Sequence, residues 1–173
     1  MRILRASAAV FAGLLAAPTA TAQEPAGPAC SEMHLFQSIE EIQFIDTGAE
    51  GVDAGDRRIL RWTIHDTGGD AIGTFFVLTT VLQVLDDGQA AMADGQLVFA
   101  NGDIRVSVAA TLPDAANTEQ SNQTPIVWSI NGGTEAFAGA TGTLVNGPQA
   151  DDQGDLQNWT LDIFVSCPAA SAS

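Results

Sequence analysis

Residues 104–112 alternate with a period of two. Ile104, Val106, Val108, Ala110 and Leu112 fall on one face, and Arg105, Ser107, Ala109 and Thr111 on the other. That alternation belongs to a strand with one buried and one wet face. Residues 72–85 differ, because both faces are apolar. Ile72, Phe76, Leu78, Leu82 and Val84 occupy one side, and Phe75, Val77, Val81 and Leu85 the other. The same reading along the chain predicts strands over about 34–45, 57–66, 72–85, 91–99, 103–112, 125–131, 140–145 and 157–166. Gly-, Asp- and Asn-rich clusters separate them, among them Thr67-Gly68-Gly69-Asp70, Asp86-Asp87-Gly88, Asn101-Gly102-Asp103, Asn131-Gly132-Gly133 and Asp151 to Asp155. Strands at this spacing with such turns indicate an all-β sandwich or barrel. No window holds a sustained helical period, and 33–45 is the one ambiguous stretch. A barrel strand that is apolar on its outside needs a cover. A second copy of the chain would supply it, so a homo-oligomer is expected.

The ends of the chain add a compartment. Arg2 and Arg5 precede an apolar stretch from Val10 to Ala17, and Ala20-Thr21-Ala22 presents small residues where a signal peptidase reads. This predicts a secretory signal peptide over 1–22. The apolar stretch is well short of the ~20 residues of a membrane span. Residues 23–29 read as a flexible Pro/Gly-rich lead-in, 30–168 as one folded β domain, and 169–173 as a disordered tail. The expected location is secreted or periplasmic. In such a compartment the two cysteines, Cys30 and Cys167, read as one disulfide. It would close nearly the whole domain, with a stabilisation of about 4–5 kcal/mol as an upper figure. It would also bring the first and last strands together, as a closed barrel requires.

Charge then narrows the partners. The formal charge is −15, with 21 acidic and six basic residues, all six arginine. Such a surface repels nucleic acid and anionic lipid, so neither is expected as a partner. The acids are scattered; Asp86-Asp87 and Asp151-Asp152 sit beside Gly88 and Gly154, where turn formation accounts for them. Neither cysteine has a CxxC partner, and His34 and His65 lie in no ligand spacing, so no metal is expected. No cofactor is expected either, since the chain has no phosphate loop and no dinucleotide fingerprint, and Ser107 and Ser129 lack a nucleophile-elbow pattern. Arg57 and Arg61 share one strand face, while Arg58 falls with Leu60, Trp62 and Ile64; all three arginines are read as surface partners for the acids. Trp62, Trp128 and Trp159 each lie on a strand, as core packing or as a cavity wall.

Five further pieces occur in a fixed order. Residues 46–56 deliver two glycine turns into a strand at Gly55-Asp56. His65-Asp66 leads to Ile72-Gly73-Thr74, and Asn101-Gly102-Asp103-Ile104 follows. Then comes Trp128-Ser129-Ile130-Asn131-Gly132-Gly133-Thr134-Glu135-Ala136-Phe137-Ala138-Gly139-Ala140-Thr141-Gly142-Thr143-Leu144. Over roughly 34–166 this order resembles the bacterial allene-oxide-cyclase-like and dirigent-like proteins. The resemblance implies an all-β, eight-stranded antiparallel closed barrel, calycin-like, with an apolar cavity, commonly assembled as a trimer. It implies a small hydrophobic ligand or substrate, which family cyclases rearrange and dirigent proteins steer through phenolic radical coupling.

The same resemblance nominates site residues. Plant allene oxide cyclases use a first-strand Glu, an Asn two residues on and a Pro shortly after. Glu41 keeps the carboxylate, Gln43 stands for the Asn, and Glu50 occupies the Pro position, so Glu41 and Gln43 are the catalytic candidates. Glu40 and Glu41 are adjacent, so one points inward and one outward, and an offset of one residue leaves Glu41 in solvent. Thr141 stands where dirigent proteins carry an Arg, and Glu135 where the family has Gly. Trp62, Phe76 and Trp128 are the candidate ligand-binding residues. Two functions stay open: a cofactor-independent isomerase, cyclase or stereocontrol protein, and a non-catalytic carrier or structural barrel. A cavity that Glu41 does not face would favour the carrier.

Overall fold

The computed structural model describes residues 28, 30–86, 88–113, 125–148 and 159–168. The predicted signal peptide, most of the lead-in, the Asp151 to Asp155 turn and the 169–173 tail lie outside the described residues. Eight strands run in chain order: β1 (Met33–Ile45), β2 (Arg57–His65), β3 (Ala71–Leu85), β4 (Gly88–Phe99), β5 (Gly102–Pro113), β6 (Ile126–Gly133), β7 (Thr141–Pro148) and β8 (Trp159–Ser166). Each pairs antiparallel with its sequence neighbour, and β1 returns to pair with β8, closing the barrel. No described helix is long and apolar enough to cross a membrane. The expected strand count and closure are both met.

Alternation decides what goes inside. On β5, Ile104 and Val106 are buried while Arg105, Ala109 and Thr111 are exposed, as the period of two requires. β3 sends Phe75, Val77, Thr79 and Val81 inward and leaves Phe76, Leu78 and Leu82 on the outside. Extra residues interrupt the register at four of the described strand pairs, among them between Ile39 and Glu41 on β1 and between Val81 and Gln83 on β3. A bulge of this kind shifts every later side chain to the opposite face.

The two ends of the barrel are built differently. At one end a 3-10 turn (Glu135–Phe137) between β6 and β7 inserts Phe137, which is fully buried against Phe99 with ring centroids 5.7 Å apart. The Cys30–Cys167 disulfide ties the chain before β1 to the end of β8 at this same end. Gly142, the second residue of β7, has φ +140°, and a Cβ there would overlap the Phe164 carbonyl oxygen, so only glycine fits. Met33, Leu35, Ile64, Leu97, Ile104, Leu161 and Ile163 fill this half as a solid core.

The opposite end is framed by the 46–56 connection. Asp56 anchors it: its carboxylate accepts from the Thr47 N–H at 2.9 Å, the Thr47 hydroxyl at 3.2 Å and the Asp53 N–H at 2.8 Å. Bonds from the Asp53 and then the Thr47 backbone hold this carboxyl below its ordinary value, against a smaller upward push from burial. The loop therefore delivers β2 in one register, with Arg57 outward and Arg58 inward.

Candidate functional site

Above the solid half, the barrel interior opens into a cavity of about 250 Å³. That is just under the ~300–1,000 Å³ of most small-molecule pockets. The inward positions of seven strands line it. β2 contributes Arg58, Leu60 and Trp62; β3 contributes Val77 and Thr79; β4 contributes Ala91 and Ala93; β5 contributes Val108, Ala110 and Leu112. Ile126 and Trp128 come from β6, Asn146 from β7 and Trp159 from β8. The small alanines of β4 and β5 leave the space that the indoles opposite do not fill.

The aromatic rings form a continuous chain. Trp159 meets Trp62 edge-on at 6.2 Å, Trp62 meets Phe75 at 6.3 Å, and Phe75 meets Trp128 at 5.8 Å, all near T-shaped. This is the geometry that ring quadrupoles favour. The chain has three tryptophans, and all three stand on this one cavity.

Polar groups are few. Buried Gln37 donates through Nε2 to Asn146 Oδ1 at 3.1 Å, which places an amide on the wall. Among the described residues, Gln37 Oε1 and the indole N–H groups of Trp62 and Trp128 are buried without a partner. Near the mouth, the Arg58 guanidinium donates to Gln89 Oε1 at 3.2 Å and lies 5.6 Å from the Phe44 ring centroid. Burial lowers the Arg58 pKa, and attraction to Asp56 offsets part of that; the group stays charged at neutral pH. No acid, histidine, serine or cysteine is among the described lining residues.

Trp62 and Trp128, both candidate ligand-binding residues, lie on this wall. The third candidate, Phe76, is 42% exposed on the outside, while its neighbour Phe75 points in. Glu41 and Gln43 likewise stand outside. The β1 bulge pairs Ile39 with Trp62 but Glu41 with Arg61, so both Glu40 and Glu41 face away from the cavity. Arg61 Nε binds Glu40 at 2.9 Å and approaches Glu41 at 3.9 Å, an exposed arrangement of small energetic consequence. Gln43 pairs with Ile59, on the same outer face. Of the three arginines read as surface groups, Arg58 lines the cavity. Thr79, Gln89 and Asn146 went unnoticed. Their signal was a polar residue on an otherwise apolar inward face.

No protein-family model and no curated protein sequence matches the chain. Solved structures do. A pyocyanin demethylase superposes with TM-score 0.61 at 20% identity, over 78% of this chain and 99% of that one. The Diels-Alderase AbmU from Streptomyces koyangensis gives 0.58 at 12% identity, over 78% and 63% of the two chains. A pterocarpan synthase dirigent protein gives 0.55 at 14%, over 78% and 93%. At these identities the likeness is one of fold, and the fold it establishes is the closed eight-stranded antiparallel barrel of the dirigent and cyclase type.

Proposed function

We propose that the barrel binds one small hydrophobic molecule in the tryptophan-walled cavity and holds it in a fixed orientation, so that shape sets how it reacts. The observation that carries this reading is the cavity, apolar and lined by every tryptophan of the chain. Orientation alone lowers barriers substantially when it holds a reactant in a near-attack geometry. Barrels of the same fold include proteins described as Diels-Alderases and dirigent proteins. The described wall has no carboxylate or imidazole for proton transfer, which favours steering over acid–base catalysis. The same observation supports the second reading, a carrier that binds without converting.

Because all three tryptophans line the cavity, their emission reports on it directly. Titration with the neutral probe N-phenyl-1-naphthylamine is expected to quench tryptophan emission saturably, with one probe per chain. Uptake that rises without saturation would remove the binding reading. Ligands recovered by pull-down from cell extract then separate the two functions. A carrier returns its ligand unchanged, and a cyclase returns an isomer of equal mass.

The reading includes export and self-association. The Cys30–Cys167 bridge suits an oxidising compartment. Exposed Ile59, Phe76, Leu78 and Met92 give the β2–β4 outer face an apolar character that a second copy would cover. Protein recovered from medium or periplasm is expected to begin at Gln23 and to scatter light as an oligomer. A retained Met1 overturns the first part, and a monomer the second.

A further inference from the structure

We propose that the cavity takes an anion: an apolar molecule of one or two rings bearing a single carboxylate or similarly delocalised negative charge, with Arg58 as its counter-ion. This rests on the cavity being a ligand site and adds the chemistry of the ligand's polar end.

The argument begins with where β2 puts its charges. Arg57, Ile59 and Arg61 face outward, whereas Arg58, Leu60 and Trp62 face inward. Outside, Arg61 finds Glu40 at 2.9 Å. Inside, Arg58 has no carboxylate within ion-pair distance among the described residues, although the chain carries 21 acids. Asp56, two residues back, is engaged by the Asp53 and Thr47 N–H groups. The rest of the described wall offers aliphatic and aromatic groups, the Thr79 hydroxyl and the Asn146 amide.

A guanidinium has five N–H donors, and among the described residues one bond, to Gln89, engages it. Leaving a cation partly desolvated and unpaired costs stability. A leucine at 58 would suit an apolar pocket better if nothing anionic entered. Phe44 beneath the guanidinium and Gln89 beside it fix its plane at the mouth. A carboxylate arriving there can accept two parallel bonds. The ligand's rings would then lie inward, against Trp62, Trp159 and Trp128.

The net charge of −15 opposes an anion at long range. Screening over about 8 Å at physiological salt confines that repulsion mainly to the approach, while Arg58 acts at contact.

The test compares 2-naphthoate with 2-naphthamide, which match in shape and differ in charge at pH 7, by tryptophan quenching. Wild-type protein should bind naphthoate about tenfold or more tighter. Arg58→Gln should weaken naphthoate at least fivefold more than naphthamide, and Arg58→Lys should keep part of the preference. Equal wild-type affinities for the two compounds overturn the anion and leave the cavity reading standing. So does a loss that is the same for both compounds in Arg58→Gln. If neither compound binds, both readings fall.

Discussion

Replacing Cys30 and Cys167 together by alanine is expected to lower the unfolding free energy by up to about 4–5 kcal/mol, which is a quarter or more of the ~5–15 kcal/mol of an ordinary domain. The reason is topological. Seven of the eight barrel seams join strands adjacent in sequence, and only β1 with β8 joins the two ends of the fold. That seam is short, from Met33 opposite Ile163 to Gln37 opposite Trp159. Forming it brings together residues from opposite ends of the folded sequence, and the loop-closure entropy falls on those few pairs. The bridge spans 137 residues and lies next to the seam, so it removes most of that entropy from the unfolded chain. Guanidinium unfolding of the oxidised protein and of the double alanine variant measures the difference. A loss under 1 kcal/mol would show that the seam holds without the bridge, and the chain-entropy account of this barrel would be wrong.

How far the sequence reached depended on polarity contrast. β5 could be oriented at sight, because its outer face carries Arg105, Ser107 and Thr111. β3 could not, because Phe75 and Phe76 are equally apolar; which one enters the barrel is set by pairing with β2 and β4, and Phe76, the one nominated, faces outward. β1 failed for a different reason. Its pattern fits a continuous strand, yet one extra residue at Glu40 turns Glu41 and Gln43 outward. A bulge leaves no mark in composition, and a site argument that counts residues along a strand fails at the first one.

Arg58 illustrates the opposite case. Its face was legible, shared with Leu60, Trp62 and Ile64, but charge alone suggested the surface. Those companions are what a barrel buries, and Ile64 is fully enclosed. Pattern outweighed residue type, and an arginine that keeps apolar company inside a barrel has a role its charge must explain. The same logic covers Asn146, whose amide is held by Gln37 from the far side of β8. Polar residues that break an inward apolar series are therefore the readable trace of this site, even where no catalytic motif exists.

Trp128→Ala is expected to cost about 3–5 kcal/mol, the range for removing a buried large aromatic side chain. Trp128 is 4% exposed, packs edge-on to Phe75 at 5.8 Å, and separates the solid half of the barrel from the cavity. Removing the indole takes away the partner of the Phe75 ring and enlarges a space of about 250 Å³ that neighbours do not fill. Trp128→Phe should be much milder, about 1–2 kcal/mol. It keeps a ring against Phe75 and deletes an indole N–H that has no acceptor among the described residues, so part of the lost packing is offset by removing an unsatisfied donor. Binding of N-phenyl-1-naphthylamine should follow the wall rather than the stability: weakened about tenfold or more in the alanine variant, and retained within a few-fold by phenylalanine. Urea unfolding followed by circular dichroism gives the first pair of numbers. Quenching of the remaining Trp62 and Trp159 gives the second. Equal destabilisation by both substitutions would overturn the account in which the ring packed on Phe75 carries most of the Trp128 contribution. An alanine variant that binds the probe as tightly as wild type would take Trp128 out of the ligand site and leave it a packing residue.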